Sequence, residues 1–172
     1  DARREYEEIR KQNPQHARAL LRLVRLALRE GAPAECDRLV EQARSIPAVR
    51  NHPLVESLHL RRVAPAASRA AKRNEYIPKL RSMLRRNPNS YENQRLLGEL
   101  LEDVRDYASA ETAYRRAHEA AGDPVLGAAT LGGYYARREE YGQVSSVFTK
   151  ALKDATHPDT KRRLWIAWAQ ML

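Results

Sequence analysis

The sequence predicts an all-α fold, an array of antiparallel helix pairs, and three observations carry that expectation. Shifted against itself by 34 residues, Tyr91–Pro158 superimposes like on like: Leu97 on Leu131, Gly98 on Gly132, Leu101 on Tyr135 and Tyr107 on Tyr141. The match continues with Ala110 on Val144, Tyr114 on Phe148, Ala117 on Ala151 and Pro124 on Pro158; a period of this length marks a stacked helical repeat. Within each half, Leu97-Gly98-x2-Leu101 and Ala110-x3-Tyr114-x2-Ala117 have the i, i+3, i+4 spacing of amphipathic helices. The composition, 42% hydrophobic and 31% charged with seven Gly and nine Pro, is that of a helix-favouring globular chain forming one domain or one array.

In chain order, residues 1–16 read as the second helix (helix B) of a preceding repeat, because Ala2-x3-Tyr6-x2-Ile9 followed by Asn13-Pro14 reproduces the second-helix pattern. Residues 17–50 form a full repeat. Its helix A carries Leu20, Leu23, Val24 and Ala27, Gly31 supplies a left-handed C-cap, and Cys36, Val40 and Ala43 lie on helix B. Cys36 takes the small-residue slot of Ala110, which predicts a buried thiol rather than a reactive one. Residues 51–56 are a six-residue insertion, since the 34-residue phase is otherwise lost between Arg50 and Ser57.

Residues 57–90 make an irregular repeat, with Leu60, Val63, Ala64 and Ala67 on helix A and Tyr76, Leu80 and Met83 on helix B. Pro65 falls inside the expected helix A, which should kink or break there at a cost of about 3 kcal/mol; Pro78 is expected in the first turn of helix B. Residues 91–124 and 125–158 are the two best repeats. In the first, polar Asp103–Asp106 is the turn and Pro124 ends the second helix. A glycine inside a helix costs about 1 kcal/mol relative to alanine, so Gly98 and Gly132 at one phase predict close approach of paired helices. Residues 159–172 form a final helix A with an apolar stripe of Leu164, Trp165, Trp168 and Leu172.

The recurring Leu-Gly, Tyr, Ala-x3-aromatic and terminal Pro resemble the tetratricopeptide repeat (TPR), except that Gln94 and Ala128 stand where that family carries its first aromatic. The resemblance covers nearly the whole chain and implies a TPR-like right-handed α-solenoid whose A helices line a concave groove for extended peptides or partner helices. It implies no enzymatic activity. Starting on a helix B and stopping on a helix A, the chain is expected to be a segment of a longer array, flanked by neighbouring TPR repeats of the same protein. The final Leu164-Trp165-x2-Trp168-Ala169 also resembles the half-a-TPR repeats of RNA-processing scaffolds.

Chemistry-bearing patterns are absent from the sequence. The five histidines are scattered, no phosphate-binding glycine motif occurs, Glu102-Asp103 and Glu139-Glu140 fall at helix ends as solvated charge, and the lone Cys36 excludes an internal disulfide or a cysteine-rich metal site. The expectation is a non-enzyme with no catalytic residues, cofactor or metal. No apolar run is long enough for a membrane span and no leader opens the chain, so neither is expected in this segment.

Charge is more informative. The net +9 divides into +3 over residues 1–50 (11 basic, 8 acidic), +7 over 51–90 (9 and 2), −4 over 91–124 (4 and 8) and +3 over 125–172 (7 and 4). Arg61, Arg62, Arg69, Lys72, Arg73, Lys79, Arg81, Arg85 and Arg86 outnumber Glu56 and Glu75, so the irregular repeat should project a positive potential. Groove positions implied by the resemblance are Arg18, Leu21, Arg22, Arg25 and Arg29 at one end, and Glu92, Arg95, Glu99, Glu102 and Asp103 at the other.

Such a groove suits a protein or peptide of mixed charge. Leu21 and Arg25 do not reproduce the Asn and Lys with which chaperone-tail-binding TPRs grip a terminal carboxylate. The expected function is an interaction scaffold module, with Arg61, Arg62, Arg69 and Arg73 docking an acidic surface of the partner. Two alternatives are an RNA-binding scaffold, opposed by the acidic third repeat and the lack of an aromatic stripe among the arginines, and a TPR module of a bacterial polysaccharide export machine.

Overall fold

The computed structural model describes residues 2–171, all of whose regular structure is helical, with helices adjacent in sequence packed as neighbouring pairs. The chain divides into two compact units, Asp1–Ala66 and Ala67–Leu172. The expected irregular repeat 57–90 is therefore shared between them, its first helix in one unit and its second in the other.

The first unit contains α1 (Ala2–Gln12), α2 (Ala17–Arg29), α3 (Pro33–Ser45) and α4 (Pro53–Val63). Leu20, Leu23, Val24 and Ala27 of α2 interlock with Cys36, Leu39, Val40 and Ala43 of α3, as the helical spacing predicts. Tyr6 of α1 packs on this core from one side and Val55 of α4 joins it from the other. Ile46 and Val49 are buried in the turn after α3, so that connection is pinned to the core rather than looped out.

One expectation changes here and one holds. Of the proposed insertion 51–56, only Asn51 and His52 lie outside the helix: His52 caps α4 by accepting the Leu54 N–H on its Nδ1 at 3.2 Å, and Pro53 takes the first helical position, where its missing N–H leaves nothing unsatisfied. At the other end the helix breaks ahead of Pro65, as expected. The helix stops at Val63, two residues short, which avoids the lost bond and the ring clash.

The second unit runs α5 (Arg69–Ala71), a π turn (Lys72–Tyr76), α6 (Ile77–Arg86), α7 (Tyr91–Asp103), α8 (Tyr107–Ala120), α9 (Pro124–Arg137), α10 (Tyr141–Asp154) and α11 (Pro158–Ala169). Pro78 is the second residue of α6, in its first turn as expected, and α5 and the π turn lead into that helix without a break. The wider π turn precedes it, with the Ile77 N–H reaching back to the Lys72 carbonyl. Proline removes the bond to the carbonyl four residues back and crowds that group, so the widened turn relieves both defects at once. The repeat-ending prolines also gain a second role, since Pro124 and Pro158 are the first residues of α9 and α11.

The glycine expectation holds in both repeats. A Cβ on Gly98 would lie 3.0 Å from the Tyr114 ring, and one on Gly132 would lie 2.7 Å from the Phe148 ring. Leu97, Leu131, Tyr114 and Phe148 are all buried. Trp168 stacks on Phe148 with ring centroids 5.9 Å apart, while Trp165 is 57% exposed, so the α11 stripe is only partly covered. Leu172 lies outside the described residues.

Candidate interaction surfaces

On α2, Arg18, Arg22, Arg25 and Arg29 recur at intervals of four, three and four residues, which sets them on one exposed face. Leu21, between them, is half-buried against the core. The acidic residues nearest in sequence are committed elsewhere: Arg3 of α1 is paired with Glu30 and, at 2.6 Å, with Glu35. The four guanidiniums thus form a cationic ridge on a rigid helix. His52 registers this field, since burial and then the charge of Arg25 hold its imidazole below the ordinary histidine range.

The acidic end of the expected groove is different, because its charges are satisfied internally. Arg95 is paired with Glu99 and lies 3.9 Å from Glu92 along α7. Glu102 accepts the Tyr114 hydroxyl at 2.9 Å and a two-pronged contact from Arg137 at 3.0 and 2.9 Å. This three-residue clamp ties α7, α8 and α9 together. Burial, reinforced by Glu102, drives the Tyr114 hydroxyl far above the ordinary tyrosine range, so it stays a neutral donor. Glu102 therefore acts as an internal clamp in place of a free groove contact.

A second clamp joins Tyr135 of α9 to Glu111 of α8, with the Tyr135 hydroxyl donating at 2.8 Å and Arg115 at 2.8 Å. Those two bonds, Tyr135 first, hold the Glu111 carboxyl below the usual range. Arg138 lies 4.4 Å from the centre of the Tyr107 ring, near enough for cation–π attraction. Arg137 and Tyr135 escape a sequence reading because their partners are 35 and 24 residues away.

The basic segment is also more divided than its composition implies. Lys72 is buried in the π turn and bonded to Asp103 at 2.5 Å, so it does not project its charge. Arg62 is tied to Glu41, which also lies 3.4 Å from His59. Arg61 and Lys79 are half-buried. Arg69, Arg73, Arg81, Arg85 and Arg86 are exposed in the second unit, whereas Arg61 and Arg62 belong to the first.

Histidine caps are a feature the scattered spacing conceals. Nδ1 of His16 accepts the Ala19 N–H at 3.1 Å and that of His157 accepts the Asp159 N–H at 3.2 Å, matching His52 at the start of α4. Each supplies the acceptor that the first helical turn lacks. Cys36 is buried and its thiol is pushed up by burial, as its small-residue slot predicts. Among the described residues no three His, Cys, Asp or Glu side chains gather to hold a metal, and no helix is long and apolar enough to cross a membrane. Neither a protein-family model nor a curated protein matches this chain.

Proposed function

We propose that this chain is a TPR-like helical-repeat module whose work is to bind a partner protein, with the α2 arginine ridge as its principal contact. The observation that carries the repeat reading is one turn made three times. Gly31, Arg105 and Glu139 have φ of 66°, 64° and 59°, and each is followed by a residue whose N–H reaches back five positions, to Ala27, Leu101 and Tyr135 respectively. Arg105 and Glu139 are one 34-residue period apart, and Gly31 precedes Arg105 by two periods plus six residues. Three copies of one backbone turn at that spacing, together with the Gly98–Tyr114 and Gly132–Phe148 contacts, support a right-handed solenoid of stacked pairs.

The partner is a protein or peptide with an acidic patch. Its carboxylates would meet Arg18, Arg22, Arg25 and Arg29, all of which stand exposed on the first unit. Exposed pairs contribute about 0 to 1 kcal/mol each, so the ridge acts chiefly by steering encounter. The test immobilises the parent chain and a variant carrying Arg18→Gln, Arg22→Gln, Arg25→Gln and Arg29→Gln, and exposes both to cell lysate at low and high salt, with and without nuclease. The expected result is a protein retained by the parent after nuclease, weakened by salt, and captured more slowly by the variant at unchanged helix content. Loss of everything retained on nuclease treatment would replace protein by RNA as the partner. Equal capture by parent and variant would remove α2 from the interface.

A further inference from the structure

A cleft of about 430 Å³ opens in the second unit between α6 and α8, with α7 beneath it. That volume is in the range of sites that hold small ligands or a few side chains of a peptide. Its charged walls are all of one sign, Arg81 and Arg85 from α6 and Arg116 from α8. No carboxylate lines it, and among the described residues no ion pair occupies these three guanidiniums. Leu84, Leu97 and Leu101 provide an aliphatic floor.

The floor also holds Gln94, 1% exposed, in the slot where the next repeat has Ala128. Its Nε2 donates to the Pro88 carbonyl at 2.9 Å, which fixes the amide orientation because a carbonyl can only accept. Oε1 is then a buried acceptor with no donor among the described residues. Leaving such a group unpaired is costly, so an otherwise apolar slot would be better filled by a hydrocarbon unless a donor arrives from outside.

We propose that this cleft binds an acidic peptide segment of a partner protein: carboxylates among Arg81, Arg85 and Arg116, an aliphatic side chain on the leucine floor, and a backbone N–H directed at Gln94 Oε1. The three requirements of anion, hydrocarbon and N–H donor meet in a chain of Asp or Glu beside Leu or Ile. A single-stranded nucleic acid meets only the first, and the cleft has no aromatic lining on which a base could stack. The inference rests on the interaction-module reading but uses α6, α7 and α8 rather than the α2 ridge.

The test pans a phage-displayed library of random dodecapeptides on the parent chain and measures the enriched peptides, and oligouridine of matched length, by fluorescence anisotropy. Enrichment of Asp or Glu next to Leu or Ile is expected. The double variant Arg81→Gln, Arg116→Gln, with an unchanged thermal midpoint, should lose affinity by about tenfold, while the four-Gln α2 variant binds these peptides like the parent. No enrichment, enrichment of neutral or basic sequences, or parental affinity in the double variant would overturn the proposal. Peptides lost by the α2 variant but kept by the double variant would remove the cleft and leave the interaction reading standing. Oligouridine bound in place of peptides, and lost in the double variant, would make the cleft a nucleic-acid site and overturn the peptide assignment.

Discussion

At Gly132 a Cβ would stand 2.7 Å from the Phe148 ring and 3.2 Å from the Met171 sulfur, whereas at Gly133 nothing lies nearer than 3.6 Å. Alanine gains about 1 kcal/mol of helix propensity over glycine at either site, but at Gly132 the buried ring must move, and overpacking costs about 1 to 3 kcal/mol. Gly132→Ala should therefore lower the urea midpoint while Gly133→Ala leaves it level or raises it; equal shifts would show that helix contact is not what selects glycine. The histidines make a second prediction. Burial, joined by Arg25 at His52 and by Arg44 at His59, holds both imidazoles below the ordinary range. The unfolded chain takes up these protons near pH 6.5 and the folded chain resists, so the unfolded state binds more protons there. Stability is thus complete above about pH 6.5 and falls as the pH drops below it toward the depressed native values. Protonation would also remove the Nδ1 acceptor that caps α4. The urea midpoint should decline from about pH 7.5 to about pH 5.5, and His52→Asn with His59→Gln should flatten the decline. A parent midpoint constant over that interval would exclude these two groups as the cause.

Between helices, the recurring geometry of the turn matters more than the residue that occupies it. Gly31 adopts positive φ without a Cβ penalty, while Arg105 and Glu139 adopt it at a cost of roughly 1 to 2 kcal/mol each. Arg105→Gly and Glu139→Gly should each raise stability, by up to about 1 kcal/mol once the extra freedom of the unfolded glycine is subtracted. Gly31→Ala should lower it by about as much. Thermal unfolding of the three variants is the check, and a loss for both Gly substitutions would mean that those side chains contribute more than the turn strain they impose. In the helical run 69–86, the π turn and Pro78 form one feature, in which the irregular turn accommodates a proline that a regular helix interior would exclude.

Across the whole molecule, two cores have separate memberships. Leu20, Leu39 and Val55 belong to the first unit; Leu97, Leu131 and Phe148 belong to the second, as do both tryptophans. Leu39→Ala should cost about 2 to 5 kcal/mol in the first unit and shift the far-UV circular dichroism transition, which reports helices of both units. Tryptophan fluorescence, confined to the second unit, should keep its midpoint, whereas Leu131→Ala should shift it. Identical displacement of both signals by both variants would show that the two units unfold as one cooperative body.

The sequence alone determined the helical class, the 34-residue period, the phase of Gly98 and Gly132, and the burial of Tyr114, Phe148 and Cys36, because periodic spacing and steric size are local properties that repeat in the chain. It also placed Arg18, Arg22, Arg25 and Arg29 on one helix face, since a helix converts spacing directly into direction. Tertiary structure alone decided which charges are free. Asp103 neutralises a buried Lys72 that composition assigns to a basic surface, and Arg137 and Tyr114 hold in a clamp the Glu102 that the resemblance assigns to a groove. Those pairings join residues 31 and 35 positions apart, and no pattern along the chain encodes them. The start of α4 at Pro53, the π turn before Pro78 and the cleft over Gln94 belong to the same class. Each arises where the backbone must satisfy its own hydrogen bonds around a proline, or where two helices meet, and those constraints act between segments that the sequence presents separately.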